Sequence, residues 1–463
     1  MKIRKIVKVI TMCLAVFFLL GGTAIAKTKK KTNTSLYKKY KNLKDPKTGK
    51  KMDLGGMKII VADWWSPTTP EEPKNAQEEA TQAFRNWLQK EYNFTIQQVG
   101  IDGWGKHPQT FVNFSTNGGD ENYVFILYQS SISAPIKSGL CYDLSTLKNI
   151  NLKDKKWVNT ITDLTTIGKH VYGMRAEHPE PAAGLYFNKR LFKEAGIDPE
   201  SLYDMQANGT WNWKAFENIC KKLTCDTNND GVIDKYAMTN FSVNFFDAVL
   251  ASNNACFIGR DKNNKYYNAT VSNEFLEAAN WGFEMVQKYE MPTPKDAKWD
   301  YSFASFRNGE AAMQVSGTYE AGNMKEMKDD FGFICFPKGP KAKDYTNVWT
   351  DNVYVIPGCY DEARAEKIAF AFNLFTEPTP GYEGDDNWKM SYYSNFRDTR
   401  SVDETINRLR ENGTVWYNGM ITGLNQGDII YNVYGQTTTP AEAIESVAMS
   451  WQALIDEANG VTK

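Results

Sequence analysis

The sequence predicts an α/β fold, and three observations point there. Between residues 57 and 129, strand and helix patterns alternate. The chain is 463 residues long, which exceeds what one hydrophobic core organises, so two domains or lobes are expected. Hydrophobic residues make up 42% and charged residues 24%, as in a chain that folds.

The elements follow in order. MKIIVADWW (57–65) is an apolar run that reads as a buried strand. In 75–91, Ala80, Ala83, Phe84, Trp87 and Leu88 recur at helical spacing. FTIQQVGI (94–101) alternates like a strand, a helix is expected over 107–117, and NYVFILYQ (122–129) reads as a buried strand. This order predicts a sheet with helices on both faces. Later, 185–195 forms a strand and helix stopped by Gly196, and a helix opens near Thr210 and ends near Leu223. Helices are expected at 273–290, 300–308, 319–329 and 363–376, with strands at the start of 331–340 and at 352–358. The last helix, 440–458, begins at Pro440 and lines up Ile444, Val447, Trp451, Leu454 and Ile455.

The N-terminus carries Lys2, Arg4, Lys5 and Lys8, then an apolar stretch from Val9 to Leu20, then Ala24-Ile25-Ala26. That is a secretory signal, cleaved near Lys27. The alternative is an uncleaved helical anchor over 6–26. Cys13 has bulky Met12 before it and too short an apolar run, so no lipid attachment is expected. From 27 to 58, twelve lysines face only Asp45 and Asp53, which reads as a basic flexible leader before an acidic body. An acidic body argues against nucleic acid. The six cysteines after the signal show no CxxC pair, and free thiols are expected.

His107, His170 and His178 are the only histidines, and none stands in a zinc-ligand spacing. GxSxG, Walker A and GxGxxG are absent. Asp226, Asn228, Asp230, Gly231 and Asp234 match the first nine positions of a calcium loop, with the Val232 carbonyl at the seventh. Ala237 stands where the closing Glu belongs, so an Asx-rich turn without metal is the competing reading. No cofactor is required; a structural calcium is the one ion considered. Thirteen Trp, 24 Tyr and 25 Phe suit large cores, a ring-lined cleft, or both.

Two segments carry a resemblance. FASFRNGEAAMQVSGTYE (303–320) holds FxxFxxGxAAM followed by Gly317-Thr318-Tyr319, and YFNKRLFKEAGIDP (186–199) holds a YNK-x-LF-x-x-AG-type pattern. Both resemble signature segments of the extracellular solute-binding proteins that serve ABC sugar importers. The resemblance implies a two-lobed periplasmic-binding-protein-like fold with a hinged cleft. After the signal peptide over 1–26 and the leader over 27–52 read above, it implies lobe one over 53–174 plus 335–376 and lobe two over 175–334 plus 377–463. It implies no enzyme, a carbohydrate ligand, a membrane permease as partner, a monomer, and an extracytoplasmic location. The competing readings are a surface glycan-binding or sensory protein, a binding protein for a non-sugar solute, and a secreted glycosidase with paired carboxylates.

Ligands in open α/β sheets sit off the carboxyl ends of strands. Trp64, Trp65, Tyr128 and Gln129 hold such positions, and strand alternation favours Trp65 over Trp64. The resemblance adds Tyr319, whose ring is expected in the cleft, and Arg175, Glu177 and His178 near the first crossing between lobes. It also adds Trp349, Asp351 and Asn352 where the chain returns, and Arg397. Gly119-Asp120-Glu121-Asn122-Tyr123 departs from the family's Gly-Asp-x-Pro-Asp, which blurs the register before the third strand.

Overall fold

The computed structural model describes residues 34–461 except 70, 179, 350, 351 and 385. The expected signal segment, the start of the leader and Asp351 lie outside the described residues. Thr34–Tyr40 forms a 3-10 helix within a first unit that ends at Lys41.

The remaining chain, from Asn42, forms one unit. Its first residues correct the expectation of a flexible leader. Lys44 bridges to Lys51, the Leu43 N–H donates to the Tyr92 hydroxyl (2.9 Å), and Lys51 pairs with Glu91 (2.8 Å). Met52 and Leu54 are buried. The lysines gave this stretch a solvated look; two apolar side chains among them anchor it.

Lobe one is built on β1 (Met57–Asp63), α1 (Ala76–Tyr92), β2 (Phe94–Gly100), α2 (His107–Asn117) and β3 (Asn122–Leu127). Asn75 caps α1 by accepting the Glu78 N–H, and Asn93 ends it in the left-handed region at φ 55°. β1 pairs in parallel with β2 and β3, and the strand Val353–Val355 adds antiparallel to β3. The sheet order is therefore 353–355, β3, β1, β2. Helix 362–375 packs on β2 and β3 from the expected position.

Lobe two contains β4 (Gly184–Asn188), α3 (Trp213–Leu223), β5 (Tyr236–Met238), α4 (Ser242–Ser252), α5 (Asn273–Tyr289), β6 (Ala311–Ser316) and β7 (Phe331–Ile334). Its sheet runs β7, β4, β6, β5, with β4 antiparallel to both neighbours. All of β4 and all of β6 are buried, which is why both read as apolar runs rather than alternating ones. Helix α6 (Pro440–Ala458) opens with a Thr439/Glu442 capping box and buries Trp451 and Ile455 in this lobe.

The expected boundaries shift in two places. Cys335, Phe336 and Tyr345 belong to the lobe-two core, and Asn347–Val348 pairs with Gly413–Thr414. The chain therefore reaches the lobe-one sheet only at Val353, not at 335. Val415 and Met420, expected in lobe two, pack into the lobe-one core. The expected helix over 319–329 is a 3-10 turn, Thr318–Met324. All six described cysteines are unpaired.

Candidate interlobe binding site

On lobe one, the site grows from the end of β1. One oxygen of the Asp63 carboxylate accepts the N–H groups of Trp65 (3.1 Å) and Ser66 (2.9 Å), and the other accepts the Ser66 hydroxyl (2.6 Å) and the Gln98 amide (2.7 Å). This Asx turn stops the strand at residue 63. The alternation argument for Trp64 and Trp65 therefore does not apply, because neither lies in the strand. Their rings meet edge-on at 4.7 Å. Trp64 leans on His107 and Tyr128, while Trp65 is 50% exposed. Trp104, in the loop after β2, stacks on Tyr128 with centroids 5.0 Å apart and is 60% exposed. The sequence reading missed Trp104, although the rule that singled out Trp64 applies equally to the end of β2. Buried His107 is held by Asp102 (2.6 Å) and backs this aromatic wall. Burial raises the Tyr128 pKa, so its hydroxyl stays protonated.

On lobe two, the matching edge is where β5 and β6 both end. Tyr319 follows β6 and is 50% exposed. Gly317 makes this possible: a Cβ there would meet the Tyr319 ring at 2.4 Å. The Tyr186 hydroxyl donates to the Gly317 carbonyl (2.9 Å), which fixes the turn. The Tyr319 hydroxyl has its pKa raised by burial and opposed by bonds to Ser316 and Asn244. An open face with a crowded hydroxyl is what a ring in a concavity shows. After β5 comes Phe241, in ring contact with Phe303 (6.0 Å), which in turn meets Trp299 (6.3 Å). Trp299 is the most exposed tryptophan here, at 80%, and was not anticipated.

The first crossing between the lobes passes beside the Tyr319 turn. Met174 bridges to Tyr354, and the Arg175 guanidinium donates to the Asn352 carbonyl (3.1 Å). Glu177 takes φ +66° and is exposed, as is His178. Partial desolvation first, and Arg410 second, lower the His178 pKa. Arg410 lies over the Trp388 ring (4.2 Å), bonds Tyr392, and feels Glu177 and Glu180. Glu180 accepts the Thr318 hydroxyl (2.5 Å). A polar group of Glu177, His178, Glu180, Tyr392 and Arg410 thus sits beside the Tyr319 turn. Tyr392 and Arg410 carried no sequence signal, because tertiary packing alone brings them here.

Three anticipated residues are committed elsewhere. The Gln129 amide is buried and donates to the Trp416 carbonyl, tying lobe one to the 415–420 crossing. The Arg397 guanidinium donates to the carbonyls of Asp329 (2.7 Å), Met324 (3.0 Å) and Met327 (2.6 Å) and rests on Phe331. It fastens the turn before β7 and leaves the candidate lining. Trp349 donates its indole N–H to the Leu409 carbonyl (3.0 Å) and covers Gly413, so only a ring face is left to offer.

In the 226–234 loop, Asp226 accepts the N–H groups of Asn228, Asn229 and Gly231. Asn228 accepts from Asp230 and Asp230 from Val232, while Asp234 accepts from both donors of Thr227. These are nested Asx turns. Among the described residues, no group of three or more His, Cys, Asp or Glu side chains has the arrangement of a metal site.

Two α/β lobes joined by several crossings, each carrying exposed rings beyond its strand ends, have the architecture of hinged solute-binding proteins. The model for bacterial extracellular solute-binding proteins matches residues 66–372, and this chain belongs to that family. No curated protein matches it. Solved structures share the fold. A cyclic alpha-maltosyl-1,6-maltose binding protein from Arthrobacter globiformis superposes at TM-score 0.62 with 13% identity, covering 87% of this chain and 100% of its own. An ABC substrate-binding protein from Listeria monocytogenes in complex with cycloalternan gives 0.59, 16%, 88% and 99%. UgpB from Mycobacterium tuberculosis in complex with glycerophosphocholine gives 0.60, 14%, 87% and 99%. Among the described residues, no helix is long and apolar enough to cross a membrane.

Proposed function

We propose that this protein captures a carbohydrate, specifically an oligosaccharide, outside the cytoplasm and passes it to the membrane permease of an ABC importer. It does so as a monomer and without covalent chemistry. The observation that carries the reading is the pair of exposed aromatic walls, Trp65 and Trp104 on lobe one, Tyr319 and Trp299 on lobe two. Sugar rings present C–H faces that aromatic rings bury and hydroxyl edges that Arg410, Glu180 and Asn244 can serve. The solved relatives from Arthrobacter and Listeria, with their cyclic oligosaccharides, support the same class. A ring that removes about 60 Å² of apolar surface contributes about 1.5 kcal/mol. Two or three such rings give about 3–5 kcal/mol, short of the roughly 8 kcal/mol of micromolar binding, so the polar group sets specificity.

A non-sugar solute is the second reading, favoured by the Mycobacterium relative's glycerophosphocholine and by Arg410 in the polar group. A thermal-shift screen separates the two, using neutral oligosaccharides, glycerophosphocholine and amino acids. A ligand at about 100 times its dissociation constant stabilises by roughly 2.7 kcal/mol. A response confined to oligosaccharides supports the proposal; a response confined to glycerophosphocholine replaces it. The same screen with and without EDTA tests calcium in the 226–234 loop. Export by a cleaved signal over 1–26 belongs to the proposal and is checked by the N-terminus of the exported protein.

A further inference from the structure

A cavity of about 840 Å³ shares no lining residue with the aromatic walls. Lobe one contributes Lys137 and Asp163 to it, lobe two contributes Arg260, Lys265 and Tyr266, and Tyr417 of the 415–420 crossing lies between. Such a volume falls in the range of small-molecule sites, about 300–1,000 Å³.

Its charge is uneven. Lys137, Arg260 and Lys265 face Asp163 and Asp261. The Asp261 carboxylate accepts the N–H groups of Asn263 and Lys265, both at 2.8 Å, and so is held in its own turn. Lys265 donates to the Asn459 carbonyl (2.7 Å), and Lys137 stands 3.8 Å from Glu457. Arg260 differs from both. Among the described residues its guanidinium has no hydrogen-bond or ion-pair partner, and its Nε is buried without one. It stands over the rings of Tyr266 (5.8 Å) and Tyr417 (5.6 Å). A guanidinium carries five donors in a planar fork that matches a carboxylate, and a buried donor left without a partner is costly.

We propose that this cavity is a second ligand site, which binds a hydroxylated carboxylic acid of the sugar-acid class through a fork from Arg260. The carboxylate takes the guanidinium that stands over the two tyrosine rings. Lys137 adds charge from the other lobe, and Asp163 receives hydroxyl groups. The proposal stands apart from the carbohydrate reading of the aromatic cleft.

The test is calorimetric titration of the protein with glucuronate, with glucose as the neutral control at matched ionic strength. Glucuronate is expected to bind saturably and glucose not to compete with it. Arg260→Gln should weaken glucuronate at least about tenfold, Arg260→Lys less, and Lys137→Gln several-fold, whereas Tyr319→Ala leaves it unchanged. Among the described residues Arg260 makes no side-chain hydrogen bond or ion pair that its replacement would break, and Lys137→Gln gives the same readout from the opposite wall. Absence of saturable glucuronate binding overturns the proposal. So does an affinity that stays at the wild-type value in both Arg260→Gln and Lys137→Gln, or one lost in Tyr319→Ala, which would place the acid in the aromatic cleft.

Discussion

Gly317 keeps Tyr319 in the cleft by lacking a side chain. A Cβ there would sit 2.4 Å from the ring, and the ring is the part free to move. Gly317→Ala should therefore swing Tyr319 aside, lowering sugar affinity several-fold with little change in melting temperature. Tyr319→Ala should weaken binding at least about tenfold, consistent with about 1.5 kcal/mol for one buried ring face. Calorimetry checks both, and an unchanged affinity in Tyr319→Ala removes that ring from the site. At this scale the sequence was informative where a residue follows a strand. Trp65 and Tyr128 were singled out for that reason, and Tyr319 through the Gly317-Thr318-Tyr319 resemblance. Arg410 and Trp299 were not, since only packing brings them to the crossing and to Phe303. Arg397 looked like a ligand group because no sequence shows the three carbonyls that hold it.

The lobe-two wall rests on a buried carboxylate just past α5. Glu290 accepts bonds from the Asn240 amide (2.8 Å) and the Tyr434 hydroxyl (2.7 Å), and Asn240 in turn accepts the Val315 N–H (2.8 Å). The ends of β5 and β6 thus share one support. Burial pushes the Glu290 carboxyl up to about 7, against the bonds that lower it. The folded protein therefore holds this proton where the unfolded chain, near 4.5, has lost it. Stability falls as pH rises between those two values and then levels off above about 7. Melting temperature should be lower at pH 8 than at pH 5.5 on this account, and Glu290→Gln should flatten that difference. A slope unchanged in Glu290→Gln would assign it to another group.

Long amphipathic helices were legible: 107–117 and 440–458 match their expected bounds. The three-residue strands 236–238 and 258–260 were not, because so few residues carry no period.

Across the whole molecule, two lobes were readable from length and pattern, but the crossings were not. Where a chain leaves one core for another depends on contacts such as those of Tyr345 and Val415, not on composition. The lysine-rich stretch shows the same limit, since Met52 and Leu54 anchor it to lobe one. Deleting residues up to 54 should lower the melting temperature, through lost apolar burial and the lost Lys51–Glu91 pair. An unchanged melting temperature would return that stretch to a passive tether. The central claim is that the lobes close on a sugar held between two aromatic walls. The direct measurement is calorimetric titration with a panel of neutral oligosaccharides, on the wild type, Trp65→Ala and Tyr319→Ala. The account predicts saturable micromolar binding to one sugar class, weakened at least about tenfold by either change, since each wall supplies a ring. Binding that survives both changes, or no binding across the panel, would contradict it.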